Sequence, residues 1–404
     1  MVAGRTRTEP LRPSPGVQEF KRTSYYAALA LAGILALLLL YSGRISSEMR
    51  DFEVYWTAAS RAVGSEPLYR VEDGHFQFKY LPAFALAATP LAALPLTAAK
   101  AVWFALSAVL LIALLVLSLR LLAERRRPTW LLVTVMLVTM AKFFGHELVL
   151  GQVNLLFAVL VVCGILAMGR KRDMVAATCF VAAVVVKPYG LLFLPWLAVV
   201  RGRRAAAGAM LALLIALAAP AVVYGVDGTI ALHRAWWWAV TSSTAPNLTN
   251  PDNVSVAAWM AKWLGENQTA TLIAALLSGV LLAVASIVIA QGRNVTGREA
   301  LEGALLLTLV PLLSPQGWDY VFLVATPAVA IIVNNDDRLP TPLRTLTWLA
   351  LAAIGLSIYD VLGRQLYSRF MALSIITPCF MVVVAALTAL RLRRLAQDLI
   401  DPRP

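Results

Sequence analysis

The sequence predicts an all-α, polytopic membrane protein, and three observations carry that prediction. Mean hydropathy is +0.75 and only 14% of residues are charged, against about a quarter in a soluble domain. Several segments approach the roughly 20 apolar residues that cross a bilayer. The basic residues stand in short runs beside those segments: KRT at Lys21, ERRRP at Glu124, GRKRD at Gly169, RGRR at Arg201 and RLRR at Arg391. That distribution orients spans with their basic ends on the cytoplasmic side.

Composition also excludes several classes. The net charge of +13 comes from 35 basic and 22 acidic residues, but no continuous basic face accompanies it, so no nucleic-acid partner is expected. Cys163, Cys179 and Cys379 fall inside apolar runs and read as small buried hydrophobes. The three histidines are too far apart for zinc spacing. Neither a phosphate-cradling G-x-x-x-x-G-K-[ST] loop nor a dinucleotide loop occurs, so no ATP or NAD cofactor is called for. A divalent metal is compatible with the chain but not indicated by it.

In chain order, residues 1–23 are polar, basic and without a cleavable signal pattern, and read as a disordered cytoplasmic tail. The remaining 24–404 read as one transmembrane domain. A first span at 24–43 leads to an outer loop, about 44–100. Within that loop, 80–96 is apolar but short and holds three prolines. A full crossing there would put Arg125 to Arg127 outside, so it is read as short interfacial helix. Spans at 101–122, 129–143 and 151–168 follow. Between GRKRD and RGRR lie two short apolar stretches joined by Lys187-Pro188-Tyr189-Gly190. With both ends basic, they predict a broken-helix hairpin with that tetrapeptide at its apex. A span at 205–225, a second outer loop at about 226–268, and spans near 269–290, 299–313, 318–333, 343–360 and 370–390 complete about twelve passes, both termini inside.

Polar residues at membrane depth are costly and tend to be functional. On this topology Asp51, Glu53, His146, Glu147, Gln152, Asn154, Lys187, Asn250, Asn253, Gln316 and Asp319 share the outer level. That convergence predicts one outer-face site. Each has a bland alternative. Asp51 can N-cap a helix over 52–63 that ends at Gly64; Gln152 and Asn154 can open a span; Lys187 can snorkel; Trp236 to Trp238 can form an aromatic belt. Asp51 and Tyr55 are four apart and share a helix face, whereas Glu53 points elsewhere.

Five segments then resemble glycosyltransferase family 87, in order and spacing over about residues 24–335: DFEVYWTAASRAVGSEPLY, FKYLPAFALAATPLAALP, GQVNLLFAVLVV, VVVKPYGLLFLPWLAVVRGRR and PLLSPQGWDYVFLVATPAV. The resemblance implies a GT-C-type helical bundle in the cell membrane with an extracytoplasmic active site. It also implies a polyprenyl-phosphate sugar donor, mannose or arabinose, and an acceptor that is a lipid or a glycan. The family's first-loop acid maps onto Asp51, the implied general base of an inverting transfer. Where the family often has His after the Trp-x pair, this chain has Trp318-Asp319-Tyr320; a tyrosine hydrogen-bonds but is no neutral-pH base. NLTNPDNVSV matches the family's N-Q-S element only loosely, at Asn253.

The implied substrate-binding set is Arg50, Tyr55, His146, Glu147, Gln152, Asn154, Lys187, Tyr189, Asn253, Asp319 and Tyr320, with Lys187 and Arg50 on the donor phosphate. The competing readings are a lipid-linked-sugar transporter or flippase, and an oligosaccharide ligase using lipid-diphosphate donors.

Overall fold

The computed structural model describes residues 47–243, 245–291 and 297–400, with residues 33, 36, 39 and 43 of the first apolar run. The expected tail 1–23 and nearly all of the expected span 24–43 lie outside the described residues. Among the described residues the regular structure is helical, apart from one isolated bridge between Asn253 and Trp318.

Helix α1 (Arg50–Val63) is followed by two short helices, α2 (Pro82–Ala87) and α3 (Thr89–Ala92). At 1.5 Å rise per residue, helices of six and four residues are each too short to span a bilayer. The prolines at 82 and 90 each open a short helix, where a missing N–H costs nothing. Next come α4 (Leu96–Arg120) and α5 (Thr129–Leu150), then α6 (Asn154–Gly169) and α7 (Asp173–Val186). At Lys187 the backbone becomes extended, turns through a 3-10 segment, Pro188–Leu192, and continues as α8 (Phe193–Arg201). The helix thus breaks at the expected tetrapeptide. Gly190 lets its apex close, since a Cβ there would lie 2.6 Å from the Val184 nitrogen.

Helix α9 (Arg203–Ala218) bends by 92° into α10 (Ala221–Ser242). Much of the expected loop 226–268 is therefore helix, because α10 is joined there by α11 (Val256–Leu264). Then follow α12 (Gln268–Ala290), α13 (Arg298–Leu313) and, after a 3-10 segment at Asp319–Ala325, α14 (Thr326–Asn334). Helix α15 (Thr341–Leu356) bends by 103° into α16 (Tyr359–Ala372), and α17 (Ile376–Ile400) closes the chain.

The count of twelve passes is not reached by length and apolarity. Among the described residues α4, α5, α12 and α17 are long and apolar enough to cross a membrane, and six spans result if each bent pair is one. Of the shorter apolar pieces, Asn154–Gly169 and Asp319–Asn334 are largely buried, whereas Asp173–Val186 and Pro188–Arg201 each keep an exposed face. Helix α13 and the Asp319–Asn334 segment are buried on nearly every side, as expected of helices that are apolar all round. Around them α6 packs on α4, α7 and α13, and α17 packs on α13 and α15.

The charged runs gather where α5 begins and α6 ends. Arg127 pairs with Asp336 at 2.5 Å, Arg126 with Asp337, and Arg201 with Asp173 and Glu299. Helix polarity then puts residues 49–53, 150–154, 187–190 and 313–320 together at the opposite end.

Candidate active site

The site is built on the turn after α5. Gly151 has φ +69°, and a Cβ on it would meet the Phe52 Cβ at 2.8 Å. Glycine thus allows the turn to press against the start of α1. Two bonds fix the approach: Met49 N–H donates to the Val149 carbonyl at 2.9 Å, and the Trp103 indole donates to the Gly151 carbonyl at 2.9 Å. The turn delivers Gln152, buried, into the space between α1 and the 313–320 segment.

Gln152 uses both ends of its amide. Its Nε2 donates to Asp51 Oδ2 at 2.7 Å and to the Tyr320 hydroxyl at 3.3 Å, while its Oε1 accepts from the Tyr55 hydroxyl at 3.2 Å. The Tyr55 and Tyr80 hydroxyls share a hydrogen bond of 2.8 Å. Asp51 does not cap α1: the N-cap is Met49, and the Asp51 side chain faces Gln152 instead. Burial pushes the Asp51 carboxyl up from its ordinary value, and the Gln152 amide with the charges of Lys187, His75 and Lys79 pulls it partly back. The neighbouring Lys79 is drawn down, chiefly by burial.

Lys187 is buried rather than snorkelling. Its Nζ lies 5.9 Å from the Tyr80 ring centroid and 5.7 Å from that of Tyr189, within cation–π reach. It acts electrostatically on both Asp51 and Glu147. The Tyr189 ring also meets the Phe157 ring edge-on, with centroids 6.4 Å apart. Asp51, Tyr55, Gln152, Lys187, Tyr189 and Tyr320 therefore form one cluster, joined by Tyr80, Lys79 and His75.

The other expected residues lie around it. Glu147 is fully buried and accepts from Asn154 Nδ2 at 2.7 Å and Leu155 N–H at 2.9 Å, so the pair closes the α5–α6 turn. Arg50 is exposed at the first turn of α1. Glu53 points away and pairs with Lys100 at 2.6 Å. Asp319 is buried and paired with Lys142 at 2.6 Å, and the half-exposed His146 stands 3.5 Å from its other oxygen. Asn253 is also buried: its Nδ2 donates to the carbonyls of Asn247 and Pro315, and its Oδ1 accepts from Ser255 and Gly317 N–H. Of the Trp triplet, Trp236 donates to the Lys79 carbonyl at 3.1 Å, while Trp237 and Trp238 are exposed.

Sequence reasoning passed over Tyr80, Lys79, His75 and Lys142. Lys142 carried a usable signal, a lone cation in an apolar span. Lys79 and Tyr80 stand inside the F-K-Y-L-P segment that carries the family resemblance. Among the described residues no three His, Cys, Asp or Glu side chains gather as a metal site.

The family model of glycosyltransferase family 87 matches residues 78–315, more than half of the 404-residue chain. No curated protein and no solved structure matches the chain.

Proposed function

We propose that this chain, which belongs to glycosyltransferase family 87 and so is a membrane glycosyltransferase, moves mannose from a polyprenyl-phosphate donor to a lipid- or glycan-linked acceptor at the outer face of the cell membrane. The observation that carries the reading is the Asp51 carboxylate, held by Gln152 at 2.7 Å and flanked by the buried cation Lys187. In the reaction the acceptor hydroxyl oxygen attacks the anomeric carbon from the side opposite the phosphate. The bond from that carbon to the phosphate oxygen breaks, polyprenyl phosphate leaves with the electron pair, and the configuration inverts. The acceptor proton goes to Asp51, whose raised basicity suits it to general-base work. Lys187, with Lys79 and the exposed Arg50, stabilises the charge on the leaving phosphate. Tyr320 and Gln152 contact sugar hydroxyls.

An open groove of about 630 Å³ in the elbow between α9 and α10 suits the prenyl chain. It is lined by Leu214, Leu217, Ile230 and Trp237, with His233 and Arg234 also on its wall. The Trp236–Lys79 bond ties that elbow to the reactive cluster.

Reconstitution in proteoliposomes tests the reading. Transfer from polyprenyl-phosphate mannose is expected, with no turnover of lipid-diphosphate oligosaccharide. Requirement for a diphosphate donor would make the protein a ligase, and movement of lipid-linked sugar without bond formation would make it a transporter. In a background free of native cysteines, Cys at Ser65 or Asp252 should react with an impermeant thiol reagent from outside, and Cys at Arg126 should not.

A further inference from the structure

The segment 314–320 is fastened at nearly every residue. Ser314 N–H donates to the Val310 carbonyl at 3.1 Å, the Pro315 carbonyl accepts from Asn253 Nδ2, and Gly317 N–H donates to Asn253 Oδ1 at 3.1 Å. The Gly317 carbonyl accepts from Val254 N–H at 2.8 Å, and Asp319 N–H donates to the Asp252 carbonyl at 2.9 Å. The strongest fastening is the Asp319 side chain, 1% exposed, on Lys142, 3% exposed, at 2.6 Å. Lys142 also lies 4.8 Å from the Tyr367 ring centroid and 3.2 Å from Met371 Sδ. Such burial keeps both charges from a substrate, because a ligand reaching Asp319 would have to displace the lysine.

The next residue, Tyr320, does meet the reactive cluster. Its oxygen accepts from Gln152 Nε2, the group that also holds Asp51. The Tyr320 hydroxyl hydrogen can then turn toward a bound oxygen. Lys142 and His146 share one face of α5, and the same helix continues into the turn that carries Gln152. One rigid element thus sets Gln152, the partner of Asp51, directly, and Tyr320, the second acceptor of Gln152, through the ion pair.

We infer that Asp319 and Lys142 are positioning residues that act through Tyr320, fixing its hydroxyl against Gln152 and the substrate without touching the substrate themselves. The inference rests on the transfer reaction proposed above. A buried ion pair can often be replaced whole at little cost, whereas removing one partner strands the other. The decisive variant is therefore the double substitution Lys142→Met with Asp319→Asn.

It should melt within a few degrees of wild type in detergent. Its kcat should fall about tenfold or more, with donor KM changed by less than about threefold. Adding Tyr320→Phe should then cost little more than the slower parent, because both changes remove one interaction. Wild-type kcat in the double variant, or effects that multiply with Tyr320→Phe, would overturn the inference and leave the pair merely structural. A readout independent of transfer is the 19F line of 3-fluorotyrosine at position 320, which should shift or broaden in the double variant. An unchanged line also overturns the inference, even if wild type fails to use polyprenyl-phosphate mannose and the functional reading itself falls. Should the double variant not fold, Asp319→Glu keeps the charge but lengthens the arm. Lower kcat and a moved 19F line at unchanged melting are expected there, and no change in either is the contrary result.

Discussion

The two ends of this bundle handle charge in opposite ways. At the basic end, Arg126 and Arg127 meet Asp337 and Asp336 in partly exposed pairs beside an Asn334 side chain that accepts from the Arg126 and Arg127 N–H groups. Both of these arginines have a nearby acid and access to water, while deeper in, Arg391 meets Glu302 in a buried pair at 2.9 Å. At the reactive end, Asp51, Glu147 and Lys187 sit among Tyr55, Tyr80, Tyr189 and Tyr320, with Lys187 and Glu147 buried. Two acids there face one buried lysine, and no direct carboxylate–lysine contact closes the set. A fold that merely needed stability would neutralise that cluster; the basic end does. On the function proposed above, the charges of Asp51 and Lys187 are those left for a ligand, whereas Lys142 and Asp319 at the same end satisfy each other at 2.6 Å.

Glu147→Ala should destabilise the protein more than any other single change at this end. It strands Asn154 Nδ2 and Leu155 N–H, and each buried polar group left unsatisfied costs about 1–3 kcal/mol. Chemical or thermal denaturation in detergent should register a loss of that order. Next comes Lys187→Gln, which keeps length and polarity but removes the cation. A pair at about 4 Å is worth roughly 4 kcal/mol at an effective dielectric of 20 before desolvation. Donor kcat/KM should therefore drop about 30- to 100-fold, roughly 2–3 kcal/mol, with acceptor KM nearly unchanged and Lys187→Arg recovering part of the loss.

A smaller effect sharpens the account of Asp51. As base it must be ionised, so the acid limb of kcat/KM should lie above the ordinary aspartate value, as burial dictates. Gln152→Leu removes a hydrogen bond that favours the carboxylate, and the limb should move to still higher pH. The smallest effect belongs to the basic end. Arg126→Ala breaks a partly exposed pair with Asp337 and should change stability by no more than about 0.5 kcal/mol, with transfer kinetics intact.

Much of this contrast was legible in the sequence, but unevenly. Basic runs beside apolar spans marked one end, and Lys-Pro-Tyr-Gly between two short apolar stretches marked the broken hairpin at the other. Asp51 and Tyr55 were separable from Glu53 by helical spacing alone, and the geometry divides them in that way. The 92° elbow at residues 219–220 was passed over because the apolar run continues through it, although Pro220 stands at the break. Glu147 and Asn154 look like free polar groups in the sequence; only the closed turn reveals that they bond each other. Lys142 and Asp319 escaped as a pair because hydropathy describes each segment alone, and their contact is made by packing α5 on the Asp319–Ala325 segment.

The central claim, that the acid at the start of α1 takes the acceptor proton, is tested most directly by Asp51→Asn assayed in proteoliposomes with polyprenyl-phosphate mannose. Because burial raises the Asp51 carboxyl in the folded protein, its contribution to stability is fully present below about pH 3.8 and is lost as pH rises through the folded value. The Asn variant should therefore melt no lower than wild type at neutral pH, so any loss of transfer is chemical. The account predicts that transfer is abolished while melting holds. Retention of more than about a tenth of wild-type turnover, equivalent to only ~1.4 kcal/mol of barrier, would contradict it.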